Sequence, residues 1–187
     1  MHVKRYGSRN IAFMQNLEID PPPPAGARYA QADRLNIALL VQAFYGHVRN
    51  DPLLGPVFER ALAGRWDAHQ PKMVDFWAGL VLGEKNYQGN LKAVHQALPE
   101  LTPAHFNRWL GLFLETVETM YAPAAAVAFM EPALRIAHSL QLSRFGWDFA
   151  LPAAQRELLE QLNPRRSRAS LQAREPHASH EPPPEPG

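Results

Sequence analysis

The chain has 187 residues, 46% of them apolar, with a formal net charge of +1 and a pI near 8.1. That length suits one domain with flanking tails, and the balanced charge leaves no footprint for a nucleic-acid partner. Cysteine is absent, which excludes disulfides, iron–sulfur clusters, thiolate-ligated metals and C-x-x-C-H cofactor attachment. Met1–Asn10 is basic, but only the short apolar string Ile11–Met14 follows it, too little for a secretory signal. No window approaches the roughly 18 to 20 apolar residues of a membrane helix. A soluble, cytoplasmic protein with no membrane partner is expected.

Residues 1–31 read as a loosely structured N-terminal extension, with Pro21–Pro24 a stiff polyproline spacer. Ile37, Leu40, Val41, Phe44, Tyr45 and Val48 then follow the i, i+3, i+4, i+7, i+8, i+11 spacing of a buried helix face. Asp51-Pro52 ends that helix, and the Pro and Gly content of Pro52–Phe58 predicts an irregular turn. A second helix is predicted from an N-cap at Asp67 to Leu82, with Gly83 at its C-cap and Pro71 close to its first turn. Asn90 caps a short third helix that stops before Pro99. Thr102-Pro103 opens a fourth, with Phe106, Trp109, Leu110, Phe113, Val117 and Met120 on one face. The last main helix runs from Pro123 to Leu142, and Pro132 should kink or break it. No period-two alternation argues for β-structure, so the fold class is all-α. Pro152–Leu162 is a candidate short helix within a C-terminal extension, residues 146–163. Residues 164–187 carry too few large apolar side chains to offset chain entropy and are expected to be disordered.

Two histidines stand out on these helices. His69 falls on the stripe Trp66, His69, Met73, Phe76, Trp77, Leu80, and His95 lies among Leu91, Val94 and Leu98. Tyr45 and Trp109 lie on the inward faces of the neighbouring helices. A buried imidazole without a partner is costly. An iron porphyrin, a large apolar disc around a metal that favours imidazole, meets both the apolar and the polar demand.

The ordered strings Leu40-Val41-x-x-Phe44-Tyr45-x-x-Val48-Arg49-x-Asp51-Pro52-Leu53-Leu54-x-Pro56-Val57-Phe58, Trp66-x-x-His69-x-x-x-Met73-x-x-Phe76-Trp77, His95-x-x-Leu98, and His105-Phe106-x-x-Trp109-Leu110-x-Leu112-Phe113-x-x-Thr116 resemble the truncated haemoglobins. Ile136-Ala137-x-Ser139-Leu140 also fits, and the lack of the paired-glycine motif of the other groups favours group III. The resemblance implies a truncated globin domain over residues 32–145: a globin-like two-over-two helical sandwich around haem b, with terminal extensions that the family pattern lacks. It aligns His95 with the proximal iron ligand and Tyr45 with the group that donates to bound dioxygen. His69 aligns with the distal histidine, Met73 with the apolar position one turn on, Trp109 with the haem-side tryptophan and Phe58 with the ring stacked on the porphyrin. Phe76 and Trp77 belong to the same cofactor wall.

The chemistry of these side chains agrees. Near the end of a short helix, the Nδ1–H of His95 reaches a carbonyl one turn back and leaves Nε2 for iron. A buried phenol wants a partner for its hydroxyl, and the polarised outer oxygen of a diatomic ligand is one. Trp109 either donates its indole N–H or walls the cavity. His69 donates, gates or binds iron. Met73 closes the pocket by bulk. His105 either approaches a propionate or faces solvent. Each residue also has a plain alternative: a surface histidine, a core phenol on a carbonyl, a packing indole.

Two donors over one ligand imply tight binding of dioxygen, NO or CO and slow release. That favours a redox task, such as NO oxidation, peroxidase-like turnover or sensing, served by a reductase, over dioxygen delivery. The rival reading is a cofactor-free helical protein-interaction module. No H-E-x-x-H, G-x-G-x-x-G or P-loop string is present, and no activated nucleophile supports hydrolase chemistry.

Overall fold

Asp33 opens the first helix. Its carboxylate accepts the Asn36 N–H at 2.7 Å, and Asn36 Oδ1 accepts the Asp33 N–H at 2.9 Å, a reciprocal capping box. Helix α1, Arg34–Asn50, buries Ile37, Leu40, Val41, Phe44, Tyr45 and Val48, the face that the 3.6-residue spacing predicts. The computed structural model describes residues 27–146, 152–153 and 155–157.

The irregular turn expected over 52–58 extends only to Leu54, where helix α2, Gly55–Leu62, begins. Pro56 lies in its first turn, where the missing N–H costs nothing. Asp51 pins the entry: its Oδ1 accepts the N–H groups of Leu53 at 3.0 Å and Leu54 at 2.9 Å, and its main-chain carbonyl takes the Gly55 N–H at 2.9 Å. A side chain at position 55 would press on the Arg49 carbonyl oxygen at 3.0 Å, a tight approach that favours glycine there.

Helix α3, Trp66–Leu82, starts ahead of the expected cap. Arg65 is the N-cap, and Asp67 is an acid in the first turn, where it complements the helix dipole. Gly83 ends the helix at φ +78, a left-handed conformation that favours glycine. Asn90 caps α4, Leu91–Gln96, by accepting the Ala93 N–H at 2.9 Å. Helix α5, Pro103–Met120, begins at Thr102-Pro103 as the sequence predicts. Helix α6, Pro123–Phe145, runs unbroken through the buried Pro132 and past the predicted end at Leu142.

The layers follow from which helices touch. α1 packs on α3 and α5 on α6, and the two pairs meet through α1–α5 and α3–α6 contacts. This is the two-over-two sandwich, with α2 against α1 and α4 against α6. Among the described residues the only β-type pairing is the isolated bridge Tyr29–Tyr121, and no helix is long and apolar enough to cross a membrane. Phe113 sits where the layers meet. It stacks on Trp77 at 4.5 Å and on Trp109 at 5.3 Å, and takes the edge of Phe44 at 5.2 Å. Tyr121, fully buried, donates to Asn36 Oδ1 at 2.6 Å and ties the α5–α6 junction to the start of α1.

Contacts divide the chain into residues 1–150 and 151–187. In the second unit the described part is one helical turn, with the Gln155 and Arg156 N–H groups donating to the Pro152 carbonyl at 3.0 and 3.2 Å. The remainder of the Pro152–Leu162 helix, the Pro21–Pro24 spacer and the 164–187 tail lie outside the described residues.

Asp51 is the acidic side chain most deeply engaged in the α1–α2 junction. Its Oδ2 accepts Arg108 Nε at 2.6 Å, and its side chain is 2% exposed. Burial works to raise its carboxyl, but the Leu54 N–H, Arg108 and the Leu53 N–H outweigh it and hold the group below the ordinary carboxylate value. Asp51→Asn is expected to cost about 1–3 kcal/mol at neutral pH, discounted because Arg108 is half exposed. A carboxyl depressed in the folded state stabilises above its unfolded pKa, near 3.9, and loses that contribution as pH falls through its folded value. Denaturant melts should therefore show the wild-type advantage over the variant shrinking below about pH 4.

Candidate functional site

Helices α1 to α6 line a cavity of about 340 Å³ that is partly open to solvent, within the range of about 300–1,000 Å³ typical of ligand and cofactor sites. Its walls are largely apolar. α1 supplies Phe44 and Tyr45, α2 Val57 and Phe58, and α3 His69, Met73, Phe76 and Trp77. α4 supplies Leu91, Val94 and His95; α5 supplies Phe106 and Trp109; α6 supplies Ile136, Ala137 and Leu140.

Tyr45, Phe58, His69, Met73, Phe76, Trp77, His95 and Trp109, scattered over the sequence, thus share one wall system. The α3 stripe divides as it reaches the cavity. His69, Met73 and Phe76 lie along the cavity edge, while Val74, Trp77 and Ala78 are buried. Leu80, expected on the same stripe, is 42% exposed.

Tyr45 and His69 meet directly: the phenol oxygen lies 2.9 Å from His69 Nε2, and the rings pack edge to face at 5.1 Å. Tyr45 is buried, and burial pushes its phenol well above the usual value. Burial, with Lys72 and Arg65 adding positive charge nearby, lowers His69 to about 4. At neutral pH the pair is a protonated phenol beside a neutral imidazole. Its shared bond runs in either of two directions: the phenol donates to Nε2, or an Nε2–H donates to the phenol oxygen.

His95 stands apart from that pair. A carbonyl cannot donate, so the 2.8 Å contact of His95 Nδ1 with the Leu91 carbonyl requires the proton on Nδ1. Nε2 then carries a lone pair, on a side chain that lines the cavity. Burial lowers His95 from its ordinary value, which keeps the ring neutral; the Leu91 bond opposes that only in part. No residue of α4 is fully buried, because the apolar side chains that the sequence places inward face open cavity.

Trp109 is half-buried, parallel to Phe113 and edge-on to Phe44 at 5.8 Å. Phe58 stands 5.9 Å from Tyr45 and stacks on Trp66 at 6.5 Å. Arg65, Lys72 and Tyr87 also line the cavity, beyond the residues expected there from the sequence. The two cations lie four residues before and three after His69, a spacing that places them on one helix face and could have revealed them. Tyr87 sits in the loop after α3, where no periodicity marks it, with its ring against Phe76 at 5.0 Å. His105 reaches the lining too, and its Nδ1 accepts the Thr102 N–H at 3.2 Å.

No family model matches the chain. It is 33% identical to a group 3 truncated hemoglobin of Campylobacter jejuni over 117 residues, which cover 61% of this chain and 92% of that protein. The crystal structure of group III truncated hemoglobin from Campylobacter jejuni superposes with a TM-score of 0.62 at 31% identity, covering 66% of this chain and all of that one. With this architecture and this coverage, the chain belongs to the group III truncated haemoglobins.

Proposed function

We propose that the cavity holds haem b with His95 Nε2 as the iron ligand, and that dioxygen, NO or CO binds beside the Tyr45–His69 pair. One observation carries this reading. A single apolar cavity contains both an imidazole committed through Nδ1, leaving a basic Nε2, and a separate phenol–imidazole pair able to present a proton.

The residues fit the group. A porphyrin needs a broad apolar slot with aromatic walls, which Phe58, Phe76, Trp77 and Trp109 offer. Its two carboxylates need cations, and Arg65 and Lys72 are on the same lining. When bound, the haem supplies a ferrous iron with one position for a diatomic ligand.

The chain's own contribution is the proton arrangement around that position. With Nε2–H donating to the Tyr45 oxygen, the phenol O–H is released toward the ligand, and the two bonds in series polarise one another. Neutral His69 and protonated Tyr45 supply that arrangement across the physiological range. Trp109 adds an indole N–H, a donor that cannot accept. Strong donation slows ligand release, which suits a redox task on NO or peroxide, reset by a reductase, better than dioxygen delivery.

Three measurements test the reading. His95→Ala should abolish the histidine-ligated ferrous spectrum and most pigment; unchanged spectra would overturn the ligand assignment, and a wild-type protein that stays colourless with ample haem would favour an interaction module. Tyr45→Phe should speed dioxygen dissociation about tenfold to a hundredfold, the loss of a donor to a charged acceptor. Stopped-flow mixing of the dioxygen-equilibrated ferrous protein with NO should give rapid, stoichiometric ferric protein and nitrate; slow conversion would remove NO oxidation from the account.

A further inference from the structure

His95 is carried by the weakest element of the fold. Helix α4 has six residues and buries none of them fully. A helix this short does not hold itself in water. The bond from Nδ1 to Leu91 fixes the ring relative to α4, but that bond does not fix the helix relative to the rest of the molecule.

Arg144, in the last turn of α6, does this from outside. Its Nε–H donates to the Leu101 carbonyl at 2.9 Å, one terminal nitrogen to the Pro99 carbonyl at 2.5 Å, and the other to the carbonyl of His95 itself at 3.4 Å. One planar guanidinium thus spans the stretch 95–101, the C-terminal end of α4 and the turn leading to α5. Of the three acceptors only the His95 carbonyl, which also takes the Leu98 N–H at 3.3 Å, lies at the helix end, where a cation complements the partial negative charge. The fork of donors is specific to arginine, since an ammonium is a point charge and cannot reach three carbonyls spread over the stretch 95–101 in the same way. Gln96 to Ser143, at 3.3 Å, is a weaker tie between the same two helices. From the other side, Glu100 is held by Arg60 of α2 at 2.9 Å.

We propose that Arg144 is the positioning residue for His95: by clamping the 95–101 stretch to α6 it sets the orientation in which Nε2 is offered. This rests on the assignment of His95 as the iron ligand. The two-step linkage, ring to α4 through Leu91 and α4 to α6 through Arg144, leaves the Tyr45–His69 pair on α1 and α3 outside its reach.

The test uses the full-length, haem-loaded protein. Arg144→Met keeps the apolar stem and removes the donors. It should shift and broaden the iron–histidine stretching band of the ferrous protein, and speed haem transfer to a scavenger globin about tenfold or more, the loss of charge-assisted hydrogen bonds. It should also raise amide exchange over 94–101 while leaving exchange in α1 and α3 unchanged. Arg144→Lys retains charge and should fall between the two in every readout. That variant also covers the case in which Arg144→Met loosens the whole fold. An Arg144→Lys protein indistinguishable from wild type, or an Arg144→Met protein with an unmoved stretching band and unchanged haem loss, overturns the proposal. Loss of the band in His95→Ala together with either result would leave the ligand assignment standing and remove Arg144 alone. A band that persists in His95→Ala would instead remove the assignment itself.

Discussion

The constraint behind this structure is that a small helical sandwich must hold its core open. Four main helices would ordinarily close on one another, since burial of apolar area is the dominant favourable term in folding. Here they do so on one side only. Phe113, stacked between Trp77 and Trp109 and met by the edge of Phe44, forms a rigid aromatic spine across both layers. Large planar side chains in mutual contact have little freedom to collapse inward. The cavity lies beside that spine, with Phe44, Trp77 and Trp109 serving both as packing and as wall.

The electrostatics of the cavity follow from the burial of its side chains. The same burial that raises the Tyr45 phenol lowers His69 and His95, so each of these groups is held in its uncharged form. A neutral pair can pass a hydrogen bond in either direction at small cost, whereas an ionised one would be locked. The positive charges of Arg65 and Lys72 reinforce this by disfavouring an imidazolium at position 69. Charge at the lining and neutrality within it are two results of one gradient in solvation.

Much of the fold is legible in the order of residues because helices are local objects. The α1 face, the Asn90 and Thr102 starts and the Gly83 stop all depend on neighbours within a few residues, and all appear where the pattern puts them. Helix α2 does not, because its stability comes from elsewhere. Read alone, Pro-Leu-Leu-Gly-Pro suggests a turn. The Asp51 carboxylate, paired with Arg108 from α5, accepts the Leu53 and Leu54 N–H groups and fixes the turn from which the helix starts. The α3 stripe is a subtler case: periodicity marks a face, but cannot tell cavity from packed core, so Leu80 reads as inward and lies exposed.

The sequence by itself determined that the fold class is all-α, where most of the described helices start and stop, and that two histidines, a tyrosine and a tryptophan share inward faces. Those are consequences of backbone geometry and side-chain spacing, which act over one or two turns. Only the tertiary structure decided that Tyr45 bonds His69, that Arg65, Lys72 and Tyr87 join the same lining, and that Arg144 grips the turn after His95. Each of these depends on elements far apart in the chain being brought to within hydrogen-bonding or van der Waals distance. No local periodicity encodes such distances; they are fixed only when the helices pack.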